Sequence, residues 1–250
     1  MNRIALIPIK GVVTSEKSPF TGMGIISSVE IAPLLREIQR KKGIRALILE
    51  INSPGGGPFA CKEVAEAIKS VKKPTVAWIR EVAASGGYWI ASAADLIVAD
   101  DLSTVGSVGV ASIRPDVSEL LRKIGVDVDV VASGVHKSLG FPFKPLTPEE
   151  KQQDRQRREA EIKAIQQSFL RVIKENRQLA EEAIEDISSG KTYLGQEAKK
   201  LGLIDELGGR EKVLAIAAEK ANITRYKVVD YTKKLEKRKR GLLARLFGLF

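Results

Sequence analysis

The stretch Ala46-Leu-Ile-Leu-Glu-Ile-Asn-Ser-Pro-Gly-Gly-Gly57 joins a short apolar run to a glycine-rich loop. Because the run is apolar at nearly every position, it is typical of a strand that is buried on both faces of a parallel sheet. Glycine after such a strand permits either a tight turn or a close approach of the backbone to a ligand. This stretch therefore predicts a central strand that leads into a loop of possible functional importance.

Further strands and helices alternate on both sides of this stretch. Continuous apolar runs predict strands, and apolar residues three or four positions apart predict helices. Such alternation predicts an α/β fold with right-handed crossovers. The expected strands are residues 4–9, 46–51, 75–79, 96–99, part of 103–110, and 126–132. A capping box at Thr147 and Glu150 predicts the start of a long helix that runs to about residue 176. The other expected helices are residues 29–41, a segment around 64–71, part of 83–94, 117–124, 179–187 and 213–221.

The charge of the chain is unevenly distributed. The 250 residues carry a formal net charge of +10, and nine Lys and Arg against two acids in residues 225–250 supply +7 of it. The rest of the chain is close to neutral, which argues against a nucleic-acid-binding body. A single cysteine, Cys61, excludes an intrachain disulfide and fits a reducing compartment.

Two features bear on the membrane. The chain has no apolar run of about 18 residues, and residues 1–13 alternate like a strand rather than a signal peptide, so we expect a protein on the cytoplasmic side, or a membrane-anchored one if an N-terminal segment was removed. Residues 233–250 place a polybasic run before an apolar end, which predicts peripheral contact with an anionic membrane. The alternatives for residues 233–250 are a solvated tail, a contact between subunits of an oligomer, and a mimic of the substrate.

We expect one domain over residues 1–222, with a helical extension from about 147, and a basic amphipathic tail over 223–250.

Three glycine-bearing loops, at residues 54–57, 84–87 and 106–109, each follow or flank a predicted strand. In open α/β sheets, sites form in the loops beyond the carboxyl ends of the strands. None of the three matches a phosphate-binding pattern, and one histidine with one cysteine gives little support for a metal site. The loops therefore favour a site that needs neither nucleotide nor metal.

Ser85 lies at a predicted junction of strand and helix, where free backbone N–H groups would stabilise an oxyanion. A serine at this position is either a nucleophile or only a helix cap. A nucleophilic serine needs a base, and the neighbours His136 and Lys137 are both candidates. Side chains of adjacent residues on an extended segment point to opposite faces, so only one of the two can face Ser85. Lysine serves as a base where burial lowers its pKa.

The ordered motifs of the chain resemble those of the signal peptide peptidase A family, whose members are Ser–Lys peptidases of the Clp/crotonase-type fold. The likeness covers about residues 3–221, although family lysine segments often read Gly-Lys-Tyr-Lys where this chain has Gly134-Val-His-Lys137. The matching segments are Asn52-Ser-Pro-Gly-Gly56, Ala84-Ser-Gly-Gly-Tyr88, Gly106-Ser-Val-Gly-Val110, Ser133-Gly-Val-His-Lys-Ser138, residues 142–150, Gly195-Gln-Glu-Ala198 and residues 202–209.

The resemblance implies a spiral of ββα units with a C-terminal helical extension, and a role for each site residue. It implies that Ser85 is the nucleophile and Lys137 the general base, and that the N–H groups of Gly56 and Gly86 form the oxyanion hole. Ser107 is expected to orient the lysine amine. Hydrophobic peptides, such as signal-peptide remnants or membrane-protein segments, are the implied substrates. No cofactor or ATP is implied, and a homo-oligomeric ring is the implied assembly.

Three other functions fit parts of this pattern. A crotonase-like acyl-CoA enzyme would share the fold and the oxyanion hole without a nucleophilic serine. A catalytically inactive scaffold would keep the fold alone. A related membrane-linked Ser–Lys protease would be specific for a single membrane protein, but residues 142–150 and 195–209 favour the signal peptide peptidases.

Overall fold

The structure is a computed structural model that describes residues 1–16, 24–232 and 235. The chain divides into two compact units: the first comprises Met1–Gly109 with Phe169–Phe250, and the second comprises Val110–Ser168. The predicted tail at 233–250 lies outside the described residues except for Leu235, and the predicted division at 222 stays a prediction. Among the described residues, no helix has the length and hydrophobicity that crossing a lipid bilayer requires.

A largely parallel sheet forms the first unit. The strands are β1 Asn2–Lys10, β2 Val12–Thr14, β3 Ile25–Ser27, β4 Ile44–Ser53, β5 Thr75–Ala84, β6 Leu96–Ala99, β7 Thr104–Gly106, β8 Thr192–Leu194, β9 Glu206–Leu207 and β10 Tyr226–Asp230. The sheet has the strand order β10-β1-β4-β5-β6-β9, and every neighbouring pair in this order is parallel. Strand β7 also pairs with β5, and β8 pairs with β7, while β2 and β3 pair with each other.

Helices cover both faces of this sheet because its strands are apolar on both sides. Leu47, Leu49 and Ile51 belong to the larger core cluster, while Ala46 and Ile48 belong to a second cluster with Val213 and Ala217 of another helix. The alternation along β4 follows from the period of two of a strand. The helices of the first unit are α1 Ser28–Arg40, α2 Pro58–Lys69, α3 Gly86–Ser92, the carboxyl-terminal end of α5 Pro148–Arg177, α6 Glu181–Ile187, α7 Gly195–Lys200 and α8 Arg210–Lys220.

The second unit contains α4, Ser118–Lys123, and the amino-terminal part of α5. The predicted capping box is confirmed: the Thr147 N–H donates to Glu150 Oε2, and the Glu150 N–H donates to Thr147 Oγ1. The predicted strand at 126–132 is wrong, because this segment has no regular secondary structure in the structure. Its residues are exposed or half-buried, and a strand needs a neighbour to bond its backbone, which the described residues of the unit do not supply.

Candidate functional site

The three glycine loops of the first unit meet at one edge of the sheet. Ser53 of β4 lies opposite Ala83 of β5, and Ala84 of β5 lies opposite Gly106 of β7. Because β4, β5 and β7 are parallel neighbours, the loops that follow them begin side by side at their carboxyl ends. The three loops therefore lie at one edge of the sheet, which we call the glycine-loop edge.

Ser85 occupies a strained position at the sharp turn from β5 into α3. Its φ of 51° and ψ of −126° are unusual for a residue with a side chain. Its N–H donates to the Gly106 carbonyl at 2.8 Å, and its own carbonyl accepts from the N–H groups of Tyr88 and Trp89. The side chain is not used as a helix cap and lies 3.4 Å from the Gly109 carbonyl. The half-buried hydroxyl is therefore held at the glycine-loop edge rather than used in capping.

Two backbone N–H groups lie beside Ser85 without a partner. A methyl group built on Gly86 would lie 3.4 Å from the Gly56 nitrogen, so the two amides are neighbours. Within residues 1–16 and 24–232, neither the Gly56 nor the Gly86 N–H donates a hydrogen bond. Gly86 is buried, where an N–H group normally finds a partner, whereas Gly56 beside it is exposed. Two adjacent N–H groups that are both free make a ready site for an oxyanion.

Glycine at position 55 makes this approach possible. Gly55 has a φ of +99°, and a Cβ there would lie 2.6 Å from the Gly86 nitrogen and 3.0 Å from the Ala84 carbonyl oxygen. A bridge between Val13 and Gly56 holds the other side of the loop, through the Val13 N–H to Gly55 and the Gly57 N–H to Val13.

Cys61 lies behind the Gly86 amide, which the sequence gave us no reason to expect. The side chain is fully buried in α2, and a Cβ on Gly86 would overlap its sulfur. Burial raises the pKa of the Cys61 thiol to about 12, so the group is inert and acts by packing.

The helix that follows Ser85 is anchored by contacts far along the chain. The Tyr88 hydroxyl donates to the Leu203 carbonyl at 2.8 Å. The same loop is held by Arg177, whose guanidinium binds the carboxylate of Asp205 and the carbonyl of Gly202. The sequence did not predict these contacts either, because Tyr88 and Leu203 lie 115 positions apart and a contact over that distance gives no local signal.

Ser107 lies on the loop after β7, also at the glycine-loop edge. It has a φ of 52°, and its N–H donates to the Lys191 carbonyl. Its half-buried hydroxyl makes no hydrogen bond to another described residue. The structure therefore brings Ser107 to the same edge as Ser85, Gly56 and Gly86.

Lys137 lies in the second unit, at the end of a single 3₁₀ turn, Val135–Lys137. Both His136 and Lys137 are exposed. Ser138 and Leu139, which follow directly, are buried. The structure thus brings four of the five predicted site residues together in the first unit and places the fifth in the other unit.

Two polar clusters hold the loop that carries Lys137. Arg114 donates to the Phe141 carbonyl at 2.8 Å and lies 4.0 Å from the buried carboxylate of Asp154 on α5. Lys144 contacts Ser138 and pairs with Glu150. Burial opposes ionisation of Asp154, but Arg157 and Arg158 hold the pKa of its carboxyl below the usual value.

Comparison with known proteins gives the family of the chain. A model of peptidase family S49 matches residues 67–224. The chain is 33% identical, over 89% of its length, to the chloroplastic serine protease SPPA of Arabidopsis thaliana, and 31% identical, over 88% of its length, to Protease 4 of Haemophilus influenzae. It spans only 33% and 35% of these two relatives.

Solved structures share the fold at low sequence identity. A mutant of the 1510-N membrane-bound stomatin-specific protease, bound to a substrate peptide, superposes with a TM-score of 0.57 at 18% identity, covering 92% of this chain and 91% of the other. A member of the enoyl-CoA hydratase/isomerase family superposes with a TM-score of 0.50 at 17% identity, covering 79% and 67%. The fold is therefore the Clp/crotonase type that the motifs predicted. Together with the family match, this establishes that the chain belongs to peptidase family S49, the signal peptide peptidase A family.

Proposed function

We propose that the protein is a serine endopeptidase in which Ser85 is the nucleophile and Lys137 the general base. The observation that carries this proposal is the strained Ser85 beside two unpartnered amides, those of Gly56 and Gly86. A hydroxyl at a sharp turn next to two free N–H groups suits attack on a carbonyl whose oxygen becomes negative.

The proposed reaction has two halves. Ser85 Oγ attacks the scissile carbonyl carbon while Lys137 Nζ accepts the hydroxyl proton, and the Gly56 and Gly86 N–H groups bind the oxyanion. The tetrahedral intermediate collapses, the C–N bond breaks, and the lysine gives its proton to the leaving amine. Water, deprotonated by the same amine, then attacks the acyl-enzyme and releases Ser85. Each oxyanion donor is expected to contribute about 10²–10³ in kcat.

The proposed base must be shielded from water while it works. A lysine amine is neutral at physiological pH where burial or a nearby positive charge lowers its pKa, and Lys137 is exposed in the single chain. We therefore propose that the bound peptide or a second copy of the chain covers Lys137, in keeping with an expected ring-shaped homo-oligomer. The Ser107 hydroxyl is proposed to orient the amine.

The proposed substrates are hydrophobic peptides, such as signal-peptide remnants and membrane-protein segments. A peptide of this kind would supply both the scissile bond and the apolar cover that Lys137 needs. The proposed location is the cytoplasmic side with peripheral membrane association, or a membrane anchor if a segment precedes residue 1. No cofactor takes part in the proposed reaction.

The test is cleavage of a fluorogenic hydrophobic peptide by wild type, Ser85→Ala, Lys137→Ala and His136→Ala, with and without detergent. The proposal predicts that the first two variants lose activity and that His136→Ala keeps it. Loss with His136→Ala but not with Lys137→Ala would assign the base to the histidine. If the wild type cleaves no peptide but binds a CoA thioester, the acyl-CoA function replaces the peptidase.

A further inference from the structure

The edge of the sheet opposite the glycine-loop edge is rich in basic residues. It consists of the amino ends of β1, β4, β5, β6 and β10 and the carboxyl ends of α1, α2 and α8. We call this region the basic edge. Its basic side chains are exposed except for that of Lys73, which is half-buried. The basic residues are Arg3, Arg40, Lys41, Lys42, Arg45, Lys69, Lys72, Lys73, Lys220, Arg225 and Lys227.

Topology gathers these residues from distant parts of the sequence. Helices α1, α2 and α8 each precede a parallel strand, β4, β5 and β10, so each helix ends where its strand begins. Arg3 of β1 lies beside Lys227 of β10 and Ile44 of β4 in the sheet register. A line of positive charge therefore follows the amino ends of the neighbouring strands.

Few acids neutralise the basic edge. Glu37, Glu66, Asp95 and Glu219 lie there, so basic residues outnumber acids by more than two to one. Glu37 pairs with Lys41, and Asp95 accepts hydrogen bonds from Thr75.

Like charges are also close together on the basic edge. Lys73 Nζ donates to the Ile38 and Lys41 carbonyls at the end of α1. Burial and the neighbouring positive charge of Arg45 lower the pKa of Lys73. The carbonyls at the end of α1 stabilise the Lys73 ammonium. The exposed cations of this edge face few carboxylates, so much of its positive charge remains available to an anionic partner.

We infer that the basic edge docks the protein on an anionic lipid surface. Anionic headgroups attract clustered Lys and Arg side chains. Because these side chains follow a row of strand ends, they suit contact with an extended surface better than binding of a ligand in a groove. The sequence after β10 favours the same partner, because residues 233–250 are polybasic and then apolar, which suits a bilayer better than a nucleic acid. One side-chain contact joins this segment's approach to the basic edge, since the Lys41 amine hydrogen-bonds the Tyr231 hydroxyl.

Docking through the basic edge would orient the enzyme. The amino and carboxyl ends of parallel strands lie at opposite edges of a sheet, so the loops around Ser85 would point away from the lipid surface. Peptides would then enter from the aqueous side after leaving the bilayer. This inference does not depend on the peptidase proposal, because it concerns a different edge of the first unit.

The test is co-sedimentation of the full chain with vesicles of phosphatidylcholine, alone or mixed with a minority of phosphatidylserine. The edge variant combines Arg3→Gln, Lys42→Gln, Lys72→Gln and Lys227→Gln, whose side chains make no hydrogen bond or ion pair to other described residues. The matched control removes four exposed positive charges away from this edge, by Lys123→Gln, Lys163→Gln, Arg171→Gln and Arg210→Gln, whose side chains likewise make no hydrogen bond or ion pair to other described residues. A tail variant changes Lys237, Arg238, Lys239 and Arg240 to Gln.

The wild type is expected to bind only the phosphatidylserine vesicles, and less as salt increases. Because each lysine near such a surface contributes about fivefold in affinity, the edge variant should bind at least about tenfold more weakly than the control. Melting temperature and soluble-peptide cleavage should stay at wild-type values. Equal binding by the edge and control variants, or a loss confined to the tail variant, would overturn the inference. So would loss of duplex-DNA binding by the edge variant with vesicle binding intact.

Discussion

Replacing Gly55 by alanine is expected to damage the proposed oxyanion hole without touching Ser85. The new Cβ would lie 2.6 Å from the Gly86 nitrogen and 3.0 Å from the Ala84 carbonyl oxygen. Both atoms belong to the backbone and cannot rotate away, so the Gly86 N–H must move. Alanine at a φ of +99° adds a conformational cost of about 1–2 kcal/mol.

The magnitude follows from the donor that is displaced. Loss of one oxyanion donor lowers kcat by about 10²–10³ and leaves substrate binding largely unchanged. We therefore expect Gly55→Ala to lower kcat for the fluorogenic peptide by about two orders of magnitude, with KM near the wild-type value and a modest fall in melting temperature.

Gly125→Ala is the matched control. Gly125 has a φ of +77°, and a Cβ there would have no atom within 4 Å. This variant should show the conformational cost in its melting temperature and keep its activity within about threefold. The reasoning would be refuted if Gly55→Ala kept wild-type kcat, or if Gly125→Ala lost as much activity as Gly55→Ala did.

Three further predictions concern residues around the site. Burial raises the pKa of the Cys61 thiol to about 12, so almost none of it is thiolate at pH 8 and a thiol reagent should label it only as fast as the protein unfolds; rapid labelling of the native protein would contradict its burial. Tyr88→Phe leaves the Leu203 carbonyl without its donor and should cost about 1–3 kcal/mol in denaturant unfolding while lowering kcat more than it raises KM; an unchanged kcat would mean that α3 needs no such anchor. Asp154→Asn should destabilise the protein by about 1.5–3 kcal/mol at neutral pH. Because the folded pKa of Asp154 is depressed, the stability that it supplies is present above the unfolded pKa and is lost as the pH falls through the folded one, so wild type and variant should converge in acid; a constant difference down to low pH would argue against the charge as the cause.

The strands and helices of the first unit, and the long helix α5 that begins in the second unit, could be predicted well because each has a local signature. The buried strand at 96–99 and the helix from 148 to about 176 were predicted within one residue of their ends, the first by its apolar run and the second by its capping box. The strand at 226–230 was missed. It is short and half-exposed at a sheet edge, so its sequence carries neither a continuous apolar run nor a clear alternation.

The second unit could be predicted less well. Residues 126–132 contain valine at alternate positions, which reads as a strand, but β propensity mainly reflects packing against neighbours. Those neighbours are missing among the described residues of the unit. The glycine loops could be located from the sequence, whereas the contacts of Cys61 and Tyr88 could not. A packing contact between distant segments produces no recognisable pattern in the sequence of either segment.

The pairing of β1 with β10 makes one sheet depend on two strands that lie far apart in the sequence. As the ribosome releases the chain, β1 emerges long before β10, which is one of its two hydrogen-bonding neighbours. Until β10 follows, the apolar residues 4–9 form an open edge that could join another nascent chain. The glycine loops follow β4, β5 and β7, which are synthesised much earlier than β10. The loops around Ser85 can therefore form while β1 still lacks a neighbour, so β1 is the strand through which aggregation during synthesis would begin.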